Sequence, residues 1–161
     1  MAFKYQAIYR WNTPEGFYKN IVEFLYWIKH FFQRGWRGYS DYDVWDMDGY
    51  LIDVIPHMLK LLKERGMGHP AELTERKWDA TLDKMIKGFE AGDRILEDEY
   101  MEKIQPHWYE ELPGDSLMDT INRHPITKES WKKWQKAYKA DERRFHAGMK
   151  LFDKWFFGLW I

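Results

Sequence analysis

The chain has no cysteine, which excludes disulfides, thiolate nucleophiles and cysteine-ligated zinc, and fits a reducing compartment. Long apolar runs are missing as well. No stretch of about 18 apolar residues offers a membrane span, and Met1 to Tyr9 shows no apolar run of the kind a secretory leader needs. An excess of either charge is also absent: 25 basic and 26 acidic residues leave a net charge of −1, so the overall field attracts neither nucleic acid nor anionic lipid. The sequence carries no nucleophile elbow, no Walker phosphate loop and no dinucleotide fingerprint. These gaps predict a soluble intracellular protein with no strong case for a nucleic-acid partner. They assign it no catalytic residue, metal or cofactor.

What is abundant is aromatic. Ten Trp, ten Tyr and ten Phe stand among 161 residues, and side chains of that size dominate cores and interfaces alike. The length suits one domain, residues 1–161, and the periodicity of the apolar residues makes it all-α: a helical bundle of about four main helices. A short N-terminal strand or extended arm over 3–11 is the one non-helical element, from the weak alternation Phe3, Tyr5, Ala7, Tyr9.

Thr13-Pro14-Glu15 reads as the start of the first helix, with a capping hydroxyl, proline at the first position and an acid in the first turn. Phe17, Ile21, Phe24, Ile28 and Phe31 recur at helical spacing, widened by Tyr18, Val22, Leu25 and Phe32, a breadth that predicts a largely buried helix ending at Gly35. Ser40 and Asp43 form an acid variant of the capping box, so a new helix starts there or near Asp46 and runs to Arg65. Met47, Leu51, Val54, Met58 and Leu61 form one apolar row of it, with Ile52, Ile55, Leu59 and Leu62 beside them; the row of Asp48 and Ile52 is expected to face the core, and Pro56 to kink the helix. Glycine and proline in Gly66–Pro70 stop it. Thr74 caps a third helix lined by Trp78, Leu82, Met85 and Phe89 and continuing to Met101. Residues 103–127 are rich in proline and loop-like, and a last helix spans Lys128 to Phe157.

The segment from Trp36 to Leu51 is the most informative. It interleaves four acids with five large aromatics beside one arginine. Asp48 falls on the row expected to face inward, where a carboxylate must be capped, paired or protonated, and Arg37 is the natural partner. The plain reading makes this a locked helix junction. The functional reading makes Trp36, Arg37, Tyr39, Ser40, Asp41, Asp43, Trp45, Asp48, Tyr50, Asp53 and His57 a binding surface. There Arg37 and Ser40 would meet an anion and the rings would stack on a base, although four carboxylates repel phosphate. Asp53 and His57, like Glu142 and His146, stand four apart and read as ion pairs on one helix face before they read as metal ligands. The uncharged end Trp155, Phe156, Phe157, Leu159, Trp160 would be an aggregation hazard if free. It is expected to dock into the core or into a second subunit of a homo-oligomer.

The run Gly38-Tyr39-Ser40-Asp41-Tyr42-Asp43-Val44-Trp45-Asp46-Met47-Asp48-Gly49-Tyr50-Leu51, followed by Val54-Ile55-Pro56, Gly68-His69-Pro70 and Trp78 to Phe89, resembles a family of small uncharacterised proteins of tailed bacteriophages and prophages. The resemblance spans residues 35–90. It implies expression in the cytoplasm of an infected bacterium and an accessory role, and it carries over no catalytic residue. The expected function is binding, either of a host or phage protein or of a small nucleotide signal in the manner of counter-defence proteins. The alternatives are a metal-assisted hydrolase using acids of 41–53 with His57, and a structural assembly component.

Overall fold

The computed structural model describes residues 14–66, 68–105 and 125–160. The expected arm at 3–11 and most of the loop-like segment, 106–124, lie outside them. Among the described residues the chain is all-α, without a strand, and four of its six helices are long: α1 (Pro14–Arg37), α3 (Met47–Arg65), α4 (Glu75–Leu96) and α6 (Lys128–Trp155). The short ones are α2 (Asp41–Trp45) and α5 (Glu99–Ile104), and a single 3₁₀ turn, Phe156–Gly158, follows α6. By its contacts the chain divides into two compact units, Met1–Met47 and Asp48–Ile161.

In the first unit α1 begins at Pro14, as the proline predicts, but it runs past Gly35. The terminator is Gly38, whose φ of 83° is open to glycine at little steric cost. Its N–H donates to the Arg34 carbonyl at 2.9 Å and closes the last turn. The expectation that α1 is largely buried fails: Ile21, Phe24, Leu25, Tyr26, Phe31 and Phe32 are all exposed. The physical reason lies on the helix's other side. Gln33, Arg34 and Arg37 are the residues that bond to α2, so the polar edge of α1 is fastened and its apolar arc is not.

The second unit is organised by the antiparallel pair α4 and α6. Trp78 meets Trp155 edge-on at 5.9 Å between ring centres, Phe89 meets Phe152 at 5.4 Å, and at the other end Asp98 accepts from Trp134 Nε1 at 2.8 Å. Two glycines set the closeness of the crossing. A Cβ on Gly88 would lie 2.6 Å from the Gly148 Cα, and one on Gly148 would lie 2.7 Å from the Gly88 Cα. Gly92 likewise leaves room for the Phe145 ring, which a Cβ would meet at 2.8 Å. Glycine in a helix interior costs about 1 kcal/mol relative to alanine; here the tight packing of two backbones offsets it.

The expected core line of α4, Trp78, Leu82, Met85 and Phe89, is buried, and with Ile86, Ile52 and Leu59 it forms the core. In α3 the inward row is that of Ile52, expected to face the core, and the apolar row beside it faces outward. Met47, Leu51, Met58 and Leu61 are exposed, whereas Ile52, Pro56 and Leu59 are buried with Ile55 and Leu62 packed beside them. Both rows are apolar and lie one residue, about 100°, apart, so periodicity alone does not distinguish them. The helix runs through the buried Pro56 without interruption.

Thr74 precedes α4 in extended conformation, but its hydroxyl makes no capping bond. The expected continuation of this helix to Met101 is broken at Asp98. That residue adopts φ 44°, a left-handed conformation aspartate tolerates better than most, and α5 starts afresh after it. Thr127 caps α6 by accepting from the Ser130 N–H at 3.0 Å.

Candidate functional site

The capping box is present in full. Asp43 N–H donates to Ser40 Oγ at 3.3 Å, and Ser40 N–H donates to Asp43 Oδ2 at 2.7 Å. It opens only the one-turn α2. The chain then breaks at Asp46 and α3 starts at Met47, the second of the two expected starts. The box also does more than cap. Arg34 Nε donates to Asp43 Oδ2 at 2.8 Å and its Nη2 binds Oδ1, a two-point grip on a carboxylate that is 3% exposed. Burial pushes the Asp43 carboxyl up, but the Arg34 guanidinium and the Ser40 backbone and hydroxyl outweigh it and hold it below the usual carboxylate range.

Asp41 is the outer copy of the same device. Gln33 Nε2 donates to it at 2.7 Å, Arg37 Nη2 binds it, and Lys29 Nζ lies 3.0 Å away, while its own N–H donates to Gln33 Oε1 at 3.0 Å. The Gln33 amide, then Arg37 and Lys29, hold its carboxyl well below the ordinary value. Arg37 completes its fork by donating from Nε to the Tyr39 carbonyl at 3.0 Å and rests over the Tyr39 ring. The buried acid of the motif is therefore Asp43, held by Arg34. Asp48, expected to turn inward, is exposed, and the carboxylate that Arg37 grips is Asp41.

Of the residues the sequence singled out, Arg37, Tyr39, Ser40, Asp41 and Asp43 are thus brought together in one bonded cluster. Trp36 and Trp45 flank it with 93% and 83% of their surface exposed; Tyr42 sits against both Trp45 and His30, at 6.2 and 6.1 Å between ring centres. Asp48, Tyr50, Asp53 and His57 belong to the second unit. There His57 Nδ1 lies 2.7 Å from the Asp53 carbonyl oxygen, within its own helix, and 3.9 Å from the Asp53 carboxylate. Among the described residues no group of three or more His, Asp or Glu stands close enough to hold a metal ion.

The C-terminal aromatics divide. Trp155 packs on Trp78, and Leu159 lies against the core. Gly158 passes so close to Pro70 that a Cβ would meet its ring at 3.3 Å. Phe156 is more than half exposed, and Phe157 and Trp160 face outward.

Sequence reasoning missed the most richly bonded buried carboxylate among the described residues. Asp141, 4% exposed, accepts from Arg94 Nε and Nη2 at 2.8 and 2.9 Å, from the Tyr100 hydroxyl at 2.9 Å and from Arg144 Nη1 at 2.6 Å. Arg94, against the cost of burial, holds the Asp141 carboxyl far below its ordinary range, with Arg144 and Tyr100 adding to the effect. The signal was there to find: Asp141 stands on the inward row of α6, three residues after Tyr138 and four before Phe145. All four groups satisfy one another, so the cluster ties α4 and α5 to α6. A cleft of about 440 Å³ in the same unit, lined by Leu62, Lys63, His69, Glu75, Trp78 and Asp79 among others, includes none of the expected site residues.

The double grip on Asp43 has a measurable consequence. Ser40→Ala should cost the first unit about 1 kcal/mol, the usual loss of an N-cap. Asp43→Ala, which also takes away the carboxylate that Arg34 grips at two points, should cost about 3 kcal/mol. Amide exchange of residues 41–45 reads both, and equal effects of the two changes would show that Arg34 adds nothing. Comparison of the chain with protein-family models, with curated proteins and with solved structures found no match in any of the three.

Proposed function

We propose that this chain acts by binding rather than catalysis. It is a phage accessory protein whose aromatic face at Trp36, Tyr39 and Trp45 grips another protein in the infected bacterial cytoplasm, as counter-defence proteins do. One observation carries the reading. Asp41 and Asp43, the acids a catalytic site would draw on, are consumed by Arg34, Arg37, Lys29 and Gln33, while the two tryptophans beside them are left almost fully open. A rigid scaffold that presents exposed Trp and Tyr is the composition of an interface hot spot. The phage setting rests on the likeness of residues 38–51 to that family. A nucleotide ligand fits less well than a protein, because the guanidinium it would need at Arg37 is already shared between Asp41 and the Tyr39 carbonyl. Among the described residues no helix is long and apolar enough to cross a membrane. Phe157 and Trp160 offer a second contact, to a partner or to another subunit.

The test is the double variant Trp36→Ala/Trp45→Ala in affinity purification from bacterial lysate followed by native mass spectrometry. Both rings are exposed, so the melting temperature should stay within about 1–2 °C of the parent. Any co-purifying protein should weaken in affinity by about 30-fold or more, the loss typical of a hot-spot pair. A co-purifying metal lost on mutation of Asp53 or His57, with no protein bound, would replace this reading by the hydrolase.

A further inference from the structure

We infer that the apolar arc of α1 is the interface of a symmetric dimer, its occupant a second copy of this chain. Three observations on separate residues support it. The first is area. Ile21, Phe24, Leu25, Phe31 and Phe32 share one side of the helix, and the last four are each more than half exposed. At the ~150–250 Å² a large ring presents, they offer roughly 600 Å² a side. A pair would bury about 1,200 Å², the lower bound of specific interfaces. Exposed apolar patches of this extent are uncommon on chains that remain single.

The second observation is Gly35. It follows Phe24, Ile28 and Phe31 at steps of four, three and four, on the same arc. A Cβ there would meet nothing within 4 Å, and its φ is not in the left-handed region, since only Gly38 and Gly66 are. Gly88 and Gly148 show what a helical glycine is for in this protein: each lies where another helix backbone presses in. Gly35 has the same helix penalty, and among the described residues no backbone presses on it. A neighbouring helix from a second copy would use that space.

The third is charge, which selects the occupant. An interfacial membrane helix keeps a belt of free cations for lipid headgroups. On α1 the cations Lys29, Arg34 and Arg37, which lie off the arc, are paired with Asp41 and Asp43 of α2. What remains is an apolar strip with little net charge along its length, and such a strip is complementary to itself under a two-fold axis. Trp36 stands four residues after Phe32 at the edge of this arc, so the dimer is tested at Phe24 and Phe31, which lie away from Trp36 and Trp45, and the protein-binding reading at Trp36 and Trp45.

Light scattering and sedimentation equilibrium on the full chain test it. At micromolar concentration the parent protein should sediment as a dimer. Phe24→Glu/Phe31→Glu should raise the dissociation constant by about 100-fold or more, because each carboxylate would be buried unpaired; the exposed sites leave helicity and melting of the second unit unchanged. Gly35→Ala is the sharper variant. It should improve the isolated helix yet weaken the dimer about tenfold. A monomeric parent at those concentrations, a dimer indifferent to both variants, or a monomer retained by phosphatidylcholine or phosphatidylglycerol vesicles would each overturn the inference.

Discussion

Gly88→Ala is expected to destabilise the second unit by about 2–3 kcal/mol, although helix propensity alone would have it stabilise by about 1 kcal/mol. The added carbon would sit 2.6 Å from the Gly148 Cα and 3.1 Å from the Arg144 carbonyl oxygen. Both are main-chain atoms of α6, and neither can swing aside as the end of a side chain would. The helices must separate, and every contact across the crossing loosens with them: Phe89 on Phe152 and Phe145, Trp78 on Trp155, Gly92 against the Phe145 ring. Gly148→Ala should behave alike, and the double variant should lose less than the sum, since the first change already opens the gap. Urea unfolding followed by tryptophan fluorescence measures all three. A midpoint that rises for Gly88→Ala would mean that the glycines are not setting the distance.

How much of this could be seen beforehand depended on whether the signal was local. Proline at 14, the Ser40–Asp43 spacing and the glycines after Arg65 act through bonds within a few residues of themselves, and the helix starts and stops they predict are where the structure has them. Trp78, Leu82, Met85 and Phe89 were legible because α4 is polar on its other faces. α3 was legible only in part, because two adjacent rows are equally apolar and only the neighbours decide how far each turns inward. The choice between Asp43 and Asp48 turned on Arg34, nine residues before the acid it holds, a pairing that neither helix period nor capping rule encodes. The exposure of α1 was illegible for the same reason. A broad apolar stripe says that a face must be covered, not by what. Arg94 and Asp141 are 47 residues apart in sequence, and nothing but the antiparallel register of α4 and α6 brings them together.

That register makes Asp141→Ala the other substitution with a large expected effect. It should cost about 3–5 kcal/mol, because it removes the shared acceptor of a half-buried guanidinium and a buried phenol and leaves both desolvated. Arg144, mostly exposed, contributes little to that figure. The pH profile separates this cluster from ordinary packing. The folded Asp141 carboxyl is held far below its ordinary range by Arg94, so its stabilisation is complete above the unfolded carboxylate value of about 4 and is lost as the pH falls towards the folded value. Tyr100 bounds the other side. Burial, and then donation to Asp141, push its phenol up, so its contribution is complete below about pH 10 and is lost as the pH rises through the folded value. Parent protein should therefore hold a stability plateau between those limits, and Asp141→Ala should flatten its acid edge. The cluster fixes register more than it adds free energy. Accordingly Asp141→Leu combined with Arg94→Met should recover most of the lost stability at neutral pH, as apolar replacements of buried ion pairs often do. If instead the single Asp141→Ala variant melts within about 2 °C of the parent at pH 7, then water has replaced the carboxylate and the tie between α4, α5 and α6 is made by the aromatic and glycine contacts alone.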